Sequence, residues 1–195
     1  SEDFSHQARR EAVQSLLLLG PPNNELAWKE MRTALTKAFK DSDISTRIWA
    51  HVCFIRSEQD LIKPNDLNLA AVIKYCDHEE ASSLLEAIQA VGTIGNEAKS
   101  TVYMLVKLAT DPTLATIDDK EMTPGERDKL TIAAMSIWSL GQMTAEVDKL
   151  VPVLSELQRH KKEYLKNAAK EAYENLVRRD DPKFEPPPKK DVKKP

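Results

Sequence analysis

The sequence is short of several residue types at once. Cysteine occurs only twice, at Cys53 and Cys76, which excludes a fold built on a disulfide framework. Glycine occurs 5 times and aromatic residues make up 6%. That shortage disfavours a sheet protein, and the plentiful Ala, Leu, Glu and Lys favour helix. The leucine run from Leu16 to Leu19 is far short of the ~20 residues that a membrane-spanning helix needs. Neither charge sign dominates. A net charge of −3 argues against a dedicated nucleic-acid binder, whose domain is usually strongly basic. Proline runs the other way, at 11. What is present is a chain of 195 residues, 41% apolar and 30% charged. That is enough for one packed domain with a small appendage, and too apolar for disorder throughout.

The apolar residues recur. Four twelve-residue windows, 9–20, 45–56, 81–92 and 130–141, align without gaps. Columns four, five, eight and eleven are apolar in all four: Ala12, Val13, Leu16, Leu19; Ile48, Trp49, Val52, Ile55; Leu84, Leu85, Ile88, Val91; Ala133, Ala134, Ile137, Leu140. Offsets of 0, 1, 4 and 7 share one face of a 3.6-residue helix, whereas a strand would alternate. Column twelve holds Gly20, Arg56, Gly92 and Gly141. Glycine there is expected to end each helix in the left-handed conformation that a Cβ disfavours. Arg56 breaks the rule, so its helix is expected to continue to about Glu58.

Each window is followed by a second amphipathic segment: 24–40, 66–76, 96–110 and 144–160. Asn24, Asp66, Asn96 and Thr144 are good N-cap types, and Thr123-Pro124-Gly125-Glu126 reads as a capping box with proline at the first helical position. A further helix over about 162–177 carries Leu165, Ala168, Ala172 and Leu176 off the column pattern, with Lys161, Lys162, Lys166, Lys170 and Arg178 around them. Such a polar-backed helix suits the closing of a repeat array. The windows recur at 36, 36 and 49 residues, and the extra 13 residues fall within 111–126, as a functional loop or a tolerated insertion.

Residues 1–6 read as a short tail and 7–177 as the repeat domain. Residues 178–195, with five prolines and the ending PPPKKDVKKP, read as a linker or a polyproline ligand for an SH3-like partner. The chain opens on Ser1, which fits a trimmed chain, a mature chain after signal removal or a fragment. The few cysteines fit a cytosol or a disulfide-free exported compartment equally, and the oligomeric state is left open.

Catalytic or metal chemistry finds no constellation. His6, His51, His78 and His160 lack zinc-ligand spacing, and neither cysteine sits in a CxxC. Cys53 and Cys76 read as buried structural thiols. His78-Glu79-Glu80 reads as a turn entering a helix, and Gly92 with Gly95 as turn geometry rather than a phosphate loop. Trp28, Trp49 and Trp138 read as packing residues. No enzyme, metal or cofactor is expected.

The stretches 81–112 and 130–157 resemble HEAT-like repeats of the phycobilin-lyase type. That family shows A-x-x-A-L-x-x-[IL]-G, a turn, then A-V-P-x-L-x-x-L ending in Asp. Here the first part is carried by Ala87, Val91 and Gly92, with Gly95 following. The second is carried by Val102, Leu105, Leu108 and Asp111, and in the other copy by Val151, Pro152, Leu154 and Leu157. The first two units match less well, Asp43 with Arg47 being the trace of the family's Asp-x-x-x-[VI]-R entry. The tetratricopeptide and ankyrin signatures are absent.

The resemblance implies an all-α, right-handed α-α superhelix, a HEAT-like α-solenoid of four helix pairs plus a C-terminal capping helix. Its second helices would line a concave face. There, Lys29, Arg32, Lys37, Lys74, Lys99, Tyr103, Lys107 and Lys149 would form a mildly basic ridge, diluted by Glu30, Glu146, Asp148 and Glu156. The function it implies is a non-enzymatic protein-binding scaffold or adaptor. The alternatives are a nucleic-acid-binding relative of the alkylpurine DNA glycosylases, and a lyase-like accessory subunit or chaperone of a cofactor protein.

Overall fold

The computed structural model describes residues 5–58, 66–76 and 80–179. The expectations for the Pro/Lys-rich tail beyond Arg179, for residues 1–4 and for His78 and Glu79 lie outside these. Every regular element among the described residues is helical: α1 (His6–Leu19), α2 (Glu25–Ala38), α3 (Ile44–Glu58), α4 (Asp66–Tyr75), α5 (Ala81–Ile94), α6 (Val102–Ala109), α7 (Pro124–Leu140), α8 (Val147–Leu157) and α9 (Glu163–Arg179). Each of the four windows is a helix, each is followed by a second helix, and α3 runs to Glu58. Among these residues no helix is long and apolar enough to cross a membrane.

The contacts follow the period. The first helices pack in succession, α1 on α3, α3 on α5, α5 on α7 and α7 on α9. Each second helix packs on the first helix that follows it: α2 on α3, α4 on α5, α6 on α7, α8 on α9. The core runs along this row. Columns eight and eleven of α3, α5 and α7 are buried without exception, as Val52, Ile55, Ile88, Val91, Ile137 and Leu140. In α1 the stripe is only half used, with Val13 buried and Leu19 exposed.

Local signals explain several helix starts. Asn24 Oδ1 accepts from Ala27 N at 2.8 Å. Asp43 Oδ2 accepts from Thr46 N at 2.8 Å and from its hydroxyl at 2.6 Å. Thr123 and Glu126 form the expected reciprocal box. Asn96 and Thr144 behave differently. Each sits in a 3-10 turn, Gly95–Thr101 or Thr144–Glu146, ahead of its α-helix. Asn96 donates to Thr144 Oγ1 at 3.0 Å and accepts from Ala145 N at 2.9 Å. Two equivalent turns therefore bind each other instead of capping their own helices.

The column-twelve glycines need correction. Gly20 does end α1 with φ +74°. Gly92 lies inside α5, and Gly95, with φ +77°, takes over the terminal role. Gly141 closes α7 in right-handed geometry, φ −64°. Both displaced glycines serve close approach instead. A Cβ on Gly92 would lie 2.5 Å from Trp138 Cζ3 and 3.0 Å from Ser139 Cα. A Cβ on Gly141 would lie 2.7 Å from Ala172 Cα. The missing side chain lets successive first helices touch backbone to backbone.

The 111–126 segment is packed rather than free. Leu114 and Ile117 are buried, and Asp111 accepts from Thr113 N at 2.9 Å to start a 3-10 turn, Pro112–Thr116. Lys162, expected on the polar back of the last helix, is buried. Its Nζ donates to Ile117 O and, at 2.7 Å, to Asp119 Oδ1. The lysine fastens the inserted segment to the start of α9. An ammonium taken out of water in this way is tolerable only because both its partners are oxygens.

Candidate functional site

All eight residues of the expected basic ridge are solvent-exposed. On α2, Lys29, Arg32 and Lys37 line a shallow hollow of about 510 Å³ with Trp28, Thr33 and Thr36. The Arg32 guanidinium lies 5.5 Å from the ring centres of both Trp28 and Phe54. This cation–π seating holds the charge over apolar surface. Lys149 pairs with Glu146. That hydrogen bond holds the Glu146 carboxyl below its usual range, with the charges of Lys149 and Lys99 adding to it. Tyr103 is 82% exposed. Lys74 and Lys107 stand on the exposed sides of α4 and α6.

The second helices α6 and α8 leave a groove of about 550 Å³ between them. Val106, Pro112, Ala115, Val153 and Leu157 supply its apolar wall; Arg159, His160 and Lys161 also line it, Arg159 lying 3.4 Å from Glu156. Asp111 and Glu156 face the same space. Tyr103 and Lys107 share the groove side of α6 with Val106 and Thr110, by offsets of three, four and seven residues. Burial, with the nearby Lys162 and Lys161 charges, pushes the His160 pKa down. The His160 ring accepts from Lys162 N at 3.1 Å. Sequence reasoning reached Tyr103 and Lys107 but not the groove, because its wall comes from two helices and the inserted segment.

A second cleft, of about 530 Å³, lies where α1, α3 and α5 begin. Its charged groups are largely paired, although the buried Arg10 Nε makes no hydrogen bond. Arg9 binds Asp41 through two bonds, Nε to Oδ2 at 2.7 Å and Nη2 to Oδ1 at 2.9 Å. This pairing, chiefly, lowers the Asp41 pKa to about 2. Arg10 lies 3.5 Å from both Asp43 and Glu86. Trp49 donates its indole N–H to Glu86. Arg47 donates to Asp41 O, to Ser42 O and to Tyr75 Oη. The Asp43 and Arg47 pair is thus an N-cap and a loop clamp. Glu80, at the start of α5, accepts from the Ser82 and Ser83 hydroxyls at 2.7 and 3.2 Å. In the sequence Arg9, Arg10 and Glu86 look like ordinary solvated helix residues.

The remaining candidates are packing residues or surface. Cys53 and Cys76 are buried thiols, and burial pushes the Cys53 thiol up to about 11. His51 is buried, 2.6 Å from Asn68 Oδ1 and stacked on Phe39 at 4.1 Å; burial lowers its pKa. Trp49 is buried, whereas Trp138 is 36% exposed over Gly92. Among the described residues no group of three or more His, Cys, Asp or Glu could hold a metal. No known protein-family model matches the chain, and no curated protein matches it either.

Proposed function

We propose that the chain is a non-enzymatic protein-binding scaffold, with its helix pairs arranged as a right-handed, HEAT-like solenoid whose second helices form the recognition face. One observation carries the reading: the groove between α6 and α8. Its wall is apolar, Lys161, Asp111 and an Arg159–Glu156 pair at 3.4 Å line it as well, and Tyr103 is exposed on α6. An apolar trough with a few charged groups suits an extended or helical segment of another protein, whose apolar side chains would fill the trough and whose acidic groups would meet Arg159 and Lys161. The exposed cations Lys29, Arg32, Lys37, Lys74, Lys99, Lys107 and Lys149 would extend the same preference for acidic partners along the second helices. Arg32 among them lies over two rings.

Charge reversal of Lys29, Arg32 and Lys107 together is expected to abolish capture of a native partner, and Val153→Glu to do the same. Helical circular dichroism should stay unchanged in both. If the native protein captures no partner, or these changes leave capture intact, the reading is wrong. Binding of DNA with a steep salt dependence would move it to the nucleic-acid alternative.

A further inference from the structure

Three features that stand out in the sequence meet at one place. Arg56 breaks the column-twelve glycine rule, Gly92 and Gly95 sit close together, and Trp138 is the largest residue of column nine. All of them line a hollow of about 460 Å³ at the edge of the row where α3, α5 and α7 end. It lies at the other ends of α3 and α5 from the cleft where those helices begin, and shares no residue with the groove between α6 and α8. Gly92, inside α5, lets the Trp138 ring come close: a Cβ there would lie 2.5 Å from Trp138 Cζ3. The ring is seated against backbone on that side, yet Trp138 remains partly exposed. Asn96 stiffens the wall through its bonds to Thr144 and Ala145. Other polar groups of the hollow have no such tie. Among the described residues, Arg56, the half-buried Glu97 and the Trp138 indole N–H make no hydrogen bond or ion pair.

We propose that this hollow is a binding site for a neutral sugar, with the ring laid against the Trp138 indole and the hydroxyls held by Arg56 and Glu97. Charge narrows the choice of ligand. One cation and one carboxylate line the hollow, so its side chains carry no net charge. The C-terminal ends of three helices converge there, and each carries partial negative charge. A phosphate or carboxylate ligand would meet those ends and Glu97. A cationic ligand would meet Arg56. A neutral ligand meets neither conflict, but it must both donate and accept, because Glu97 only accepts while Arg56 and the indole N–H only donate. A sugar hydroxyl does both, and its bonds to the two charged groups are of the stronger, charge-assisted kind. The C–H face of a pyranose also needs an apolar plate with polar groups around it, which Trp138 supplies. Arg56, Glu97 and Trp138 belong to three successive units, so the site exists only where those units pack.

Saturation-transfer difference NMR of the full chain with maltose, cellobiose, lactose and N,N′-diacetylchitobiose tests this. Each is titrated to about 20 mM, because one shallow site is expected to bind in the millimolar range. At least one of the four should saturate, with the strongest transfer to its ring C–H protons and a matching change in indole fluorescence. Trp138→Ala should abolish the signal. Arg56→Ala and Glu97→Gln should each weaken binding about tenfold. Neither side chain has a partner among the described residues, so the helical signal should be retained in both, whatever Trp138→Ala does to the packing over Gly92. Val153→Glu and the charge reversals on α2 and α6, which test the recognition face, should leave sugar binding intact. Absence of saturable transfer to all four sugars overturns the proposal. Binding that survives both Arg56→Ala and Glu97→Gln overturns it equally, as does saturable binding of adenosine in place of the sugars.

Discussion

The two ends of the helix row are finished in opposite ways. At the α9 end, Leu165, Ala169, Ala172 and Leu176 are buried against α7 and α8. Gly141 lets the α9 backbone approach, and Lys162 pins the 111–126 segment across the junction. At the α1 end, Leu18 and Leu19 occupy columns buried in every other unit, yet stand in solvent. The polar effort at that end is spent on the opposite side of α1, where Arg9 and Arg10 reach Asp41, Asp43 and Glu86. An apolar stripe is a property of one helix. Burial is a property of two.

The contrast can be broken most forcefully at the glycines. Gly141→Ala places a methyl 2.7 Å from Ala172 Cα, backbone that cannot swing aside. It should cost about 2–3 kcal/mol by overpacking, read as a lower urea midpoint. Gly20→Ala meets nothing within 4 Å and suffers only from its φ of +74°. It should cost about 1 kcal/mol. Equal costs would sink the close-approach account of Gly141.

Lys162→Met sharpens the same end. It leaves Ile117 O and the Asp119 carboxylate without their donor, for an expected loss of about 1–3 kcal/mol. Amide exchange over 112–117 should accelerate while α1 is unaffected. Uniform acceleration along the chain would deny the lysine its fastening role.

At the α1 end the expected lever is acid. The folded Asp41 pKa of about 2 lies below its ordinary 3.8. A depressed carboxylate contributes stability that is complete above the unfolded value and lost as pH falls through the folded one. The gap in urea midpoint between the native chain and Asp41→Asn should therefore close between about pH 4 and pH 2. A gap that stays constant across that window would show that the Arg9 pairing is not its source.

The smallest effect belongs to the exposed leucines. Leu18→Ser should change stability by no more than about 0.5 kcal/mol. A loss of 2 kcal/mol or more, typical of a truncated core leucine, would mean that α1 already has a neighbour within the chain.

Much of the architecture was legible in the residues. The spacing of Ile48, Val52 and Ile55, repeated as Leu84, Ile88 and Val91, admits one helical face and no strand. Thr123 to Glu126 spelled out a helix start that the structure reproduces. What escaped were features made by residues far apart in the chain. Arg9 and Asp41, Trp49 and Glu86, and Ile117 and Lys162 each look like unremarkable members of their own segments. The groove between α6 and α8 was invisible for the same reason, since Val106, Pro112 and Val153 become one surface only after packing.

The sequence by itself determined that this protein is a row of amphipathic helices. The 3.6-residue period of apolar side chains is a local constraint that each segment states for itself. Only the tertiary structure decided which glycines bend the chain and which let helices touch, because the two roles share a residue type and differ in what lies across from it. It also decided that Lys162 is inside and Leu18 outside, against what each side chain prefers alone. In each case the neighbour supplied, or withheld, the partner on which burial depends.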